Sequence, residues 1–323
     1  MTRSSPSLIE VEGLGYSYPS GEGQAGEGQA GEGQAGDGQA GDGQAGKGQA
    51  GKGRTGEALR DLDLAVPAGV RFALLGSNGA GKSTLFLHLN GTLRPSRGTI
   101  RVDGRPIDYG RVGLRHLRQQ VGLVFQNSDD QLFAPTVWED ISFGPLNLGL
   151  SRAEVERRVE ESLEILDLGD LRERATWSLS QGQKRRVAIA GVIAMRPRIL
   201  ILDEPQAGLD AVGTRQLVQL LEEIRQTGVT IMMSTHDLDF VAGWADEVAI
   251  IAAGETVCQG AAGAVLADLA TLRAAGLTPP LVAEIAVRLH QLGLLEATTP
   301  LPMTRERLLD HLESLASWGV RKE

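Results

Sequence analysis

The chain has 323 residues, 41% of them hydrophobic, a formal net charge of −9 and a single cysteine, Cys258. That length suits one large domain or two modest ones with a sizeable core. The acidic balance argues against nucleic acid as the partner, and one cysteine excludes an internal disulfide framework and suits a reducing cytosol. The N-terminus, MTRSSPSLIEVEG, holds no apolar run resembling a signal peptide, and no stretch reaches the roughly eighteen apolar residues of a membrane span. Any work at a membrane would need other chains to cross it.

Leu8–Val11 alternates with polar residues and predicts a strand, followed by Tyr16 and Tyr18. A repeat of period five then runs from Gly21 to Thr55, in seven copies from GEGQA to GKGRT. It contains no large apolar residue to offset the entropy of ordering, so Gly21–Gly56 is expected to be a disordered insertion. Loop closure costs little more for a long loop than for a short one. The alternating stretch Leu59–Val66 can therefore still pair with the first strand.

Arg71–Leu75 (RFALL) predicts a short buried strand and Thr84–Asn90 the start of a helix. Between them stands Gly76-Ser77-Asn78-Gly79-Ala80-Gly81-Lys82-Ser83-Thr84, which fits G-x-x-x-x-G-K-[ST] in the strand–loop–helix context that a phosphate-binding loop requires. Glycines let the backbone wrap an anion, and the helix N-terminus adds partial positive charge. Lys82 would reach the β- and γ-phosphates of ATP, and the Ser83 hydroxyl would hold Mg²⁺.

Thr99–Val102 predicts a strand ending at the Asp103-Gly104 turn, and Val121–Phe125 a buried strand. Ser151–Leu166 has a helical apolar pattern that opens with a capping box, Ser151 and Glu154. Gln183–Ala194 and Arg215–Gln226 predict further helices. Ile199–Leu202 (ILIL), Thr230–Met233 and Val248–Ile251 predict strands, the first with the continuous apolar run of a central parallel strand. Asp203 and Glu204 follow that run, 121 residues beyond Lys82. At a strand end in this order, Asp203 would hold Mg²⁺ and Glu204 would polarise an attacking water. Beyond Gly260 the pattern turns helical, with apolar stripes at Leu281, Ile285, Leu289 and Leu292 and at Leu308, Leu312 and Leu315. The five histidines (88, 116, 236, 290, 311) show no metal-ligand spacing.

Leu179-Ser180-Gln181-Gly182-Gln183 precedes the helix KRRVAIAGVIA and is similar to the signature motif of ABC-type ATPases, usually LSGGQ, with Gln181 in place of a glycine. The chain resembles that family over roughly Leu8–Tyr18 and Leu59–Ala283, with a looser match to the end. The resemblance implies that Ser180, Gln181, Gly182 and Gln183 face a second ATP across a dimer. Gln126 matches the glutamine that contacts Mg²⁺ and the water. Asp210, in Ala207-Gly208-Leu209-Asp210, matches the D-loop, and His236 matches the switch histidine that senses the γ-phosphate. Tyr18, with Tyr16 as the alternative, matches the position where the family stacks a ring on adenine.

The implied fold is α/β. A P-loop ABC ATPase domain over 1–260 would carry a mostly parallel sheet, an N-terminal antiparallel β layer and a helical subdomain near 127–180. A helical extension would follow over 261–323. QNSDDQLFAPTVWEDISFGPLNLGLS and LSQGQKRRVAIAGVIAMRPRILILDEPQAGLD resemble, more narrowly, the ATP-binding subunits of energy-coupling factor importers, above all the cobalt and nickel branch. The vitamin-importing branch shares most of these words. Departures are the insertion, Gln181, Gln206 where Thr is usual, and Trp138 where a carboxylate is common. The implied partners are integral membrane subunits and a second ATPase copy, identical or paired, at the cytoplasmic face of the membrane. Leu132, Phe133, Val137, Trp138, Ile141 and Phe143, rimmed by Asp129, Asp130, Glu139 and Asp140, are expected to form a groove for a partner helix. The C-terminal stripes are expected either to extend the dimer contact or to pack on their own domain.

Overall fold

The computed structural model describes residues 7–19, 56–295 and 301–319. The expected disorder of the pentapeptide repeat falls on residues outside these. Its flanks are described, and they meet: β1 (Ser7–Ser17) and β2 (Glu57–Pro67) pair antiparallel, with Ser17 opposite Glu57.

Ten strands form two sheets among the described residues. A four-stranded antiparallel sheet has the order β2-β1-β4-β5, with β4 at Arg97–Val102 and β5 at Arg105–Pro106. A six-stranded sheet has the order β10-β9-β3-β8-β7-β6. In it β3 (Arg71–Leu75), β6 (Val121–Val124), β7 (Ile199–Asp203), β8 (Thr230–Thr235) and β9 (Glu247–Ala252) are parallel, and β10 (Glu255–Ala261) is an antiparallel edge. Alternate residues of the parallel strands serve two separate cores. Phe72, Leu74, Ile199 and Ile201 pack toward the antiparallel sheet; Ala73, Leu75, Leu200 and Leu202 pack toward the helices on the other face. Burial on both faces explains the unbroken apolar runs.

The helices are α1 (Lys82–Leu89), α2 (Arg111–Gln120), α3 (Val137–Asn147), α4 (Arg152–Ile165), α5 (Gln181–Ile193), α6 (Ala211–Gln226), α7 (Leu238–Trp244), α8 (Ala262–Ala267), α9 (Leu269–Ala274), α10 (Leu281–Gln291) and α11 (Arg305–Gly319). The connection between β6 and α5 is helical, with α3 and α4 packed on α5, as expected for the subdomain.

Two expectations need correction, the capping box at Ser151 and the groove, and one strand is unforeseen. The edge strand β10 carries no clean apolar alternation and is not foreseen by the pattern; Thr256 Oγ1 donates to Asp63 O at 2.6 Å, and Gln259 exchanges hydrogen bonds with the Ala65 backbone, tying β10 to β2. The capping box at Ser151 is only half formed. Ser151 accepts from the Glu154 N–H at 3.3 Å, but the Glu154 carboxylate is taken by Arg157 and Arg158. The pattern leaves the α10 stripe open between a dimer contact and its own domain, and its larger side chains do not pack on the domain. Ala283 and Ala286 are its fully buried residues, whereas Leu281, Ile285 and Leu292 are exposed. On α11 Leu308 is buried and Leu312 exposed.

The second correction concerns the groove. Val137 and Ile141 are fully buried in the core. Trp138 packs against that core with the Arg172 guanidinium over its ring at 5.5 Å. Asp140 is buried and accepts the backbone N–H groups of Phe133 and Ala134. Burial pushes its carboxyl above the usual range, against those two hydrogen bonds. Glu139 closes a capping box with Thr136, and Asp129 is bonded to Lys184. What remains open is the exposed pair Phe133 and Phe143, edge to face at 4.6 Å. They wall a cavity of about 560 Å³ whose other side includes Leu114, Arg115, Leu123 and Val192.

Candidate functional site: a phosphate loop at the strand ends

The site lies at the carboxyl ends of the parallel strands, where α/β sheets collect ligands. The strand β3 runs into Gly76–Thr84, and α1 begins at Lys82. Gly81 has φ of +106°, and a Cβ there would stand 2.8 Å from Leu59 Cδ2 and 2.9 Å from Ala58 O. Only glycine meets both conditions. Ser77, Asn78, Gly79 and Ser83 face solvent, and Ala80 and Thr84 are buried beneath them.

Lys82 is 6% exposed. Its ammonium donates to Gly76 O at 2.7 Å and Ser77 O at 3.2 Å. Burial pulls its pKa below the ordinary lysine value, and Glu204 and Asp203 push back. Glu204 Oε1 stands 3.9 Å from Nζ. The other Glu204 oxygen lies 3.4 Å from His236 Nδ1 and accepts from Gln126 Nε2 at 3.4 Å. Three residues, Lys82 at the head of α1 and Gln126 and His236 just past β6 and β8, thus converge on the one carboxylate of Glu204. Tyr18 OH lies 3.1 Å from Thr84 Oγ1, and its ring meets Tyr16 edge to face at 5.1 Å.

The signature residues lie apart from this cluster. Ser180 caps α5 and forms a reciprocal box with Gln183. Gln181 Nε2 donates to Asp129 Oδ2 at 3.0 Å. Hydrogen bonds from Lys184 and then Gln181 hold the Asp129 carboxyl below its usual range. A Cβ on Gly182 would meet nothing within 4 Å, so its own chain does not need the glycine. Asp210 Oδ1 accepts the Gly213 N–H at 2.7 Å, capping α6.

These residues fit a nucleotide and Mg²⁺. A buried ammonium lies at the head of a glycine-wrapped helix N-terminus, beside Asp203, Ser83 and Gln126. Among the described residues no group of three or more His, Cys, Asp or Glu is gathered for a metal. Mg²⁺ typically takes one or two carboxylates and completes its shell with phosphate oxygens and water, which is what this donor set offers. Sequence reasoning missed three supporting side chains: Ser234, Thr235 and Arg185. Arg185 Nη2 donates to Ala207 O at 3.0 Å, and Gln206 Nε2 donates to Thr235 Oγ1.

The family model described as ABC transporter matches residues 59–207. The cobalt import ATP-binding protein CbiO of Rhodobacter capsulatus is 53% identical over 265 residues, spanning 82% of this chain and 94% of that protein. The chain belongs to the ABC transporter ATPase family. This ABC ATPase is also 48% identical to the energy-coupling factor transporter ATP-binding protein EcfA of Methanocaldococcus jannaschii over 227 residues, 70% of this chain and 81% of the relative. Its fold is similar to that of CbiO1 from Clostridium perfringens, described as part of the ABC transporter complex CbiONQ. The TM-score is 0.66 at 36% identity, covering 87% of this chain and 99% of that one. As an ABC ATPase it hydrolyses ATP to drive transport. Among the described residues no helix is long and apolar enough to cross a membrane.

Proposed function

We propose that this chain is the ATP-hydrolysing subunit of an energy-coupling factor importer for a transition-metal ion, cobalt or nickel. The convergence of Lys82, Gln126 and His236 on the Glu204 carboxylate carries the catalytic part. Gly76–Thr84 cradles the phosphates with its N–H groups, and Tyr18 stacks on adenine. Ser83, Asp203 and Gln126 hold Mg²⁺, which when bound neutralises phosphate charge. Glu204 takes the proton of the attacking water, Gln126 orients that water, and His236 reports on the γ-phosphate. Ser180, Gln181, Gly182 and Gln183 serve the nucleotide bound to a second ATPase copy, and Asp210 lies at the contact. The open space at Gly182 supports that reading, because a glycine unneeded within the chain leaves room for a close approach from outside.

The chain divides into an ATPase domain over 1–260 and a helical extension over 261–323. It sits at the cytoplasmic face of the membrane, with Phe133 and Phe143 receiving an apolar helix of the membrane subunits. Kinship with a protein named for cobalt import supports the metal cargo. Kinship with EcfA carries the energy-coupling factor class without naming a cargo, and the sequence words shared with the vitamin-importing branch give a second reading, a vitamin importer. Radiolabelled Co²⁺ and Ni²⁺ uptake in a deletion strain separates them. Loss of high-affinity uptake of either ion is the expected result. Normal uptake of both, with a vitamin failing to enter, would establish the second reading.

A further inference from the structure

We propose that Ser234 is a positioning residue that sets the Mg²⁺ carboxylate and the catalytic carboxylate through one hydroxyl. The parallel register places Ser234 of β8 beside Asp203 of β7. The side chain is fully buried. Its Oγ donates to Asp203 Oδ1 and accepts the Glu204 backbone N–H at 2.9 Å. A hydroxyl has a single proton, so its donor is committed to Asp203 and one lone pair to Glu204. Glu204 has φ of +43°, a left-handed conformation that a side chain of its kind seldom adopts. That turn ends β7 and swings the carboxylate back over Lys82, Gln126 and His236. The hydroxyl is the side-chain contact that holds the turn's first N–H. Its neighbour Thr235 accepts from Gln206 on the same loop, so the end of β8 grips the segment after β7 at two successive residues.

The inference rests on the roles given to Asp203 and Glu204. Full-length Ser234→Ala should lower kcat by about 10- to 100-fold, the loss typical of a hydrogen bond to a charged group. It should also raise the Mg²⁺ concentration for half-maximal rate several-fold and shrink the Mg²⁺-dependent gain in ATP affinity measured by calorimetry. ATP affinity in EDTA should stay unchanged. Ser234→Thr keeps the hydroxyl and should recover most of both losses. If Ser234 served packing alone, Thr, being larger in a fully buried position, would be the worse of the two. Ser234→Cys preserves shape with a weak donor and gives the same readings should the alanine variant fold poorly. An unchanged Mg²⁺ dependence in folded Ser234→Ala or Ser234→Cys, or threonine worse than alanine, overturns the proposal. Glu204→Gln is the control. If that variant still turns over normally, the reading of the site fails; if it is inactive while Ser234→Ala behaves as wild type, only the role of Ser234 fails.

Discussion

Replacing Glu204 by Gln keeps the side-chain volume and one acceptor oxygen and removes the charge. The lost anion lies 3.9 Å from Lys82 Nζ with only 12% of its side chain exposed. At an effective dielectric of about 20 the gross attraction is about 4 kcal/mol. The cost of keeping two ions from water offsets much of it, as the burial-lowered pKa of Lys82 indicates. With Glu204 neutral, Lys82 keeps Asp203 and two loop carbonyls as partners and is freer to turn toward phosphate. Nucleotide affinity should therefore hold or rise. Turnover behaves differently. A positioned general base supplies about 10²- to 10⁴-fold, so steady-state phosphate release should fall by about that factor. The assays are phosphate release from the purified complex, equilibrium binding of a fluorescent ATP analogue, and sedimentation with ATP, which should show a trapped dimer. A kcat within about tenfold of wild type would refute the assignment. Weakened binding with normal turnover would instead place Glu204 among the nucleotide contacts.

Phe133→Ala and Phe143→Ala should reduce metal uptake by whole cells more than basal ATP hydrolysis of the purified chain; equal losses in both assays would remove these rings from the coupling surface. Trp138→Ala should instead lower the melting temperature, because its ring packs on the core under Arg172. Replacing residues 21–56 by a short turn should leave ATPase activity within about twofold, since Ser17 and Glu57 are already paired and loop length enters only logarithmically. A large loss of nucleotide affinity would show that the repeat acts at the site near Tyr18. Truncation after Gly276 should weaken dimerisation in sedimentation velocity while ATP binding persists, because Leu281, Ile285 and Leu292 lie uncovered. An unchanged profile would mean that the tail serves its own domain alone.

The strands were legible because burial on both faces writes an unbroken apolar run. Leu200 and Leu202 serve one core and Ile199 and Ile201 the other, so ILIL has no polar gap. The edge strand β10 was not legible for the converse reason. It is half covered on one side only, and its hold on β2 passes through Thr256 and Gln259, polar residues that read as loop. The C-terminal helices were legible as helices but not in orientation. Periodicity shows that Leu281, Ile285 and Leu292 share a face; it does not show that Ala283 and Ala286, with smaller side chains, are the ones that pack.

The site divides along the same line. Gln126, Asp203, Glu204 and His236 stand at or within two residues of a strand end, where a mostly apolar run announces them, and Lys82 is announced by the glycine loop that follows β3. The polar contacts that orient them join residues far apart in sequence: Gln206 with Thr235 across 29 positions, Ser234 with Asp203 across 31, Gln181 with Asp129 across 52. Those pairs are fixed by sheet register and by the packing of α5, neither of which a local window contains. Gln181 shows the consequence most clearly. Read against the family's usual glycine, it stands as a departure at the head of the signature helix. In the fold its amide reaches Asp129, three residues past Gln126, and the other Asp129 oxygen takes Lys184. A glycine has no atoms with which to make that bridge. At this position the chain exchanges backbone freedom for a second tie between the signature helix and the segment that carries Gln126.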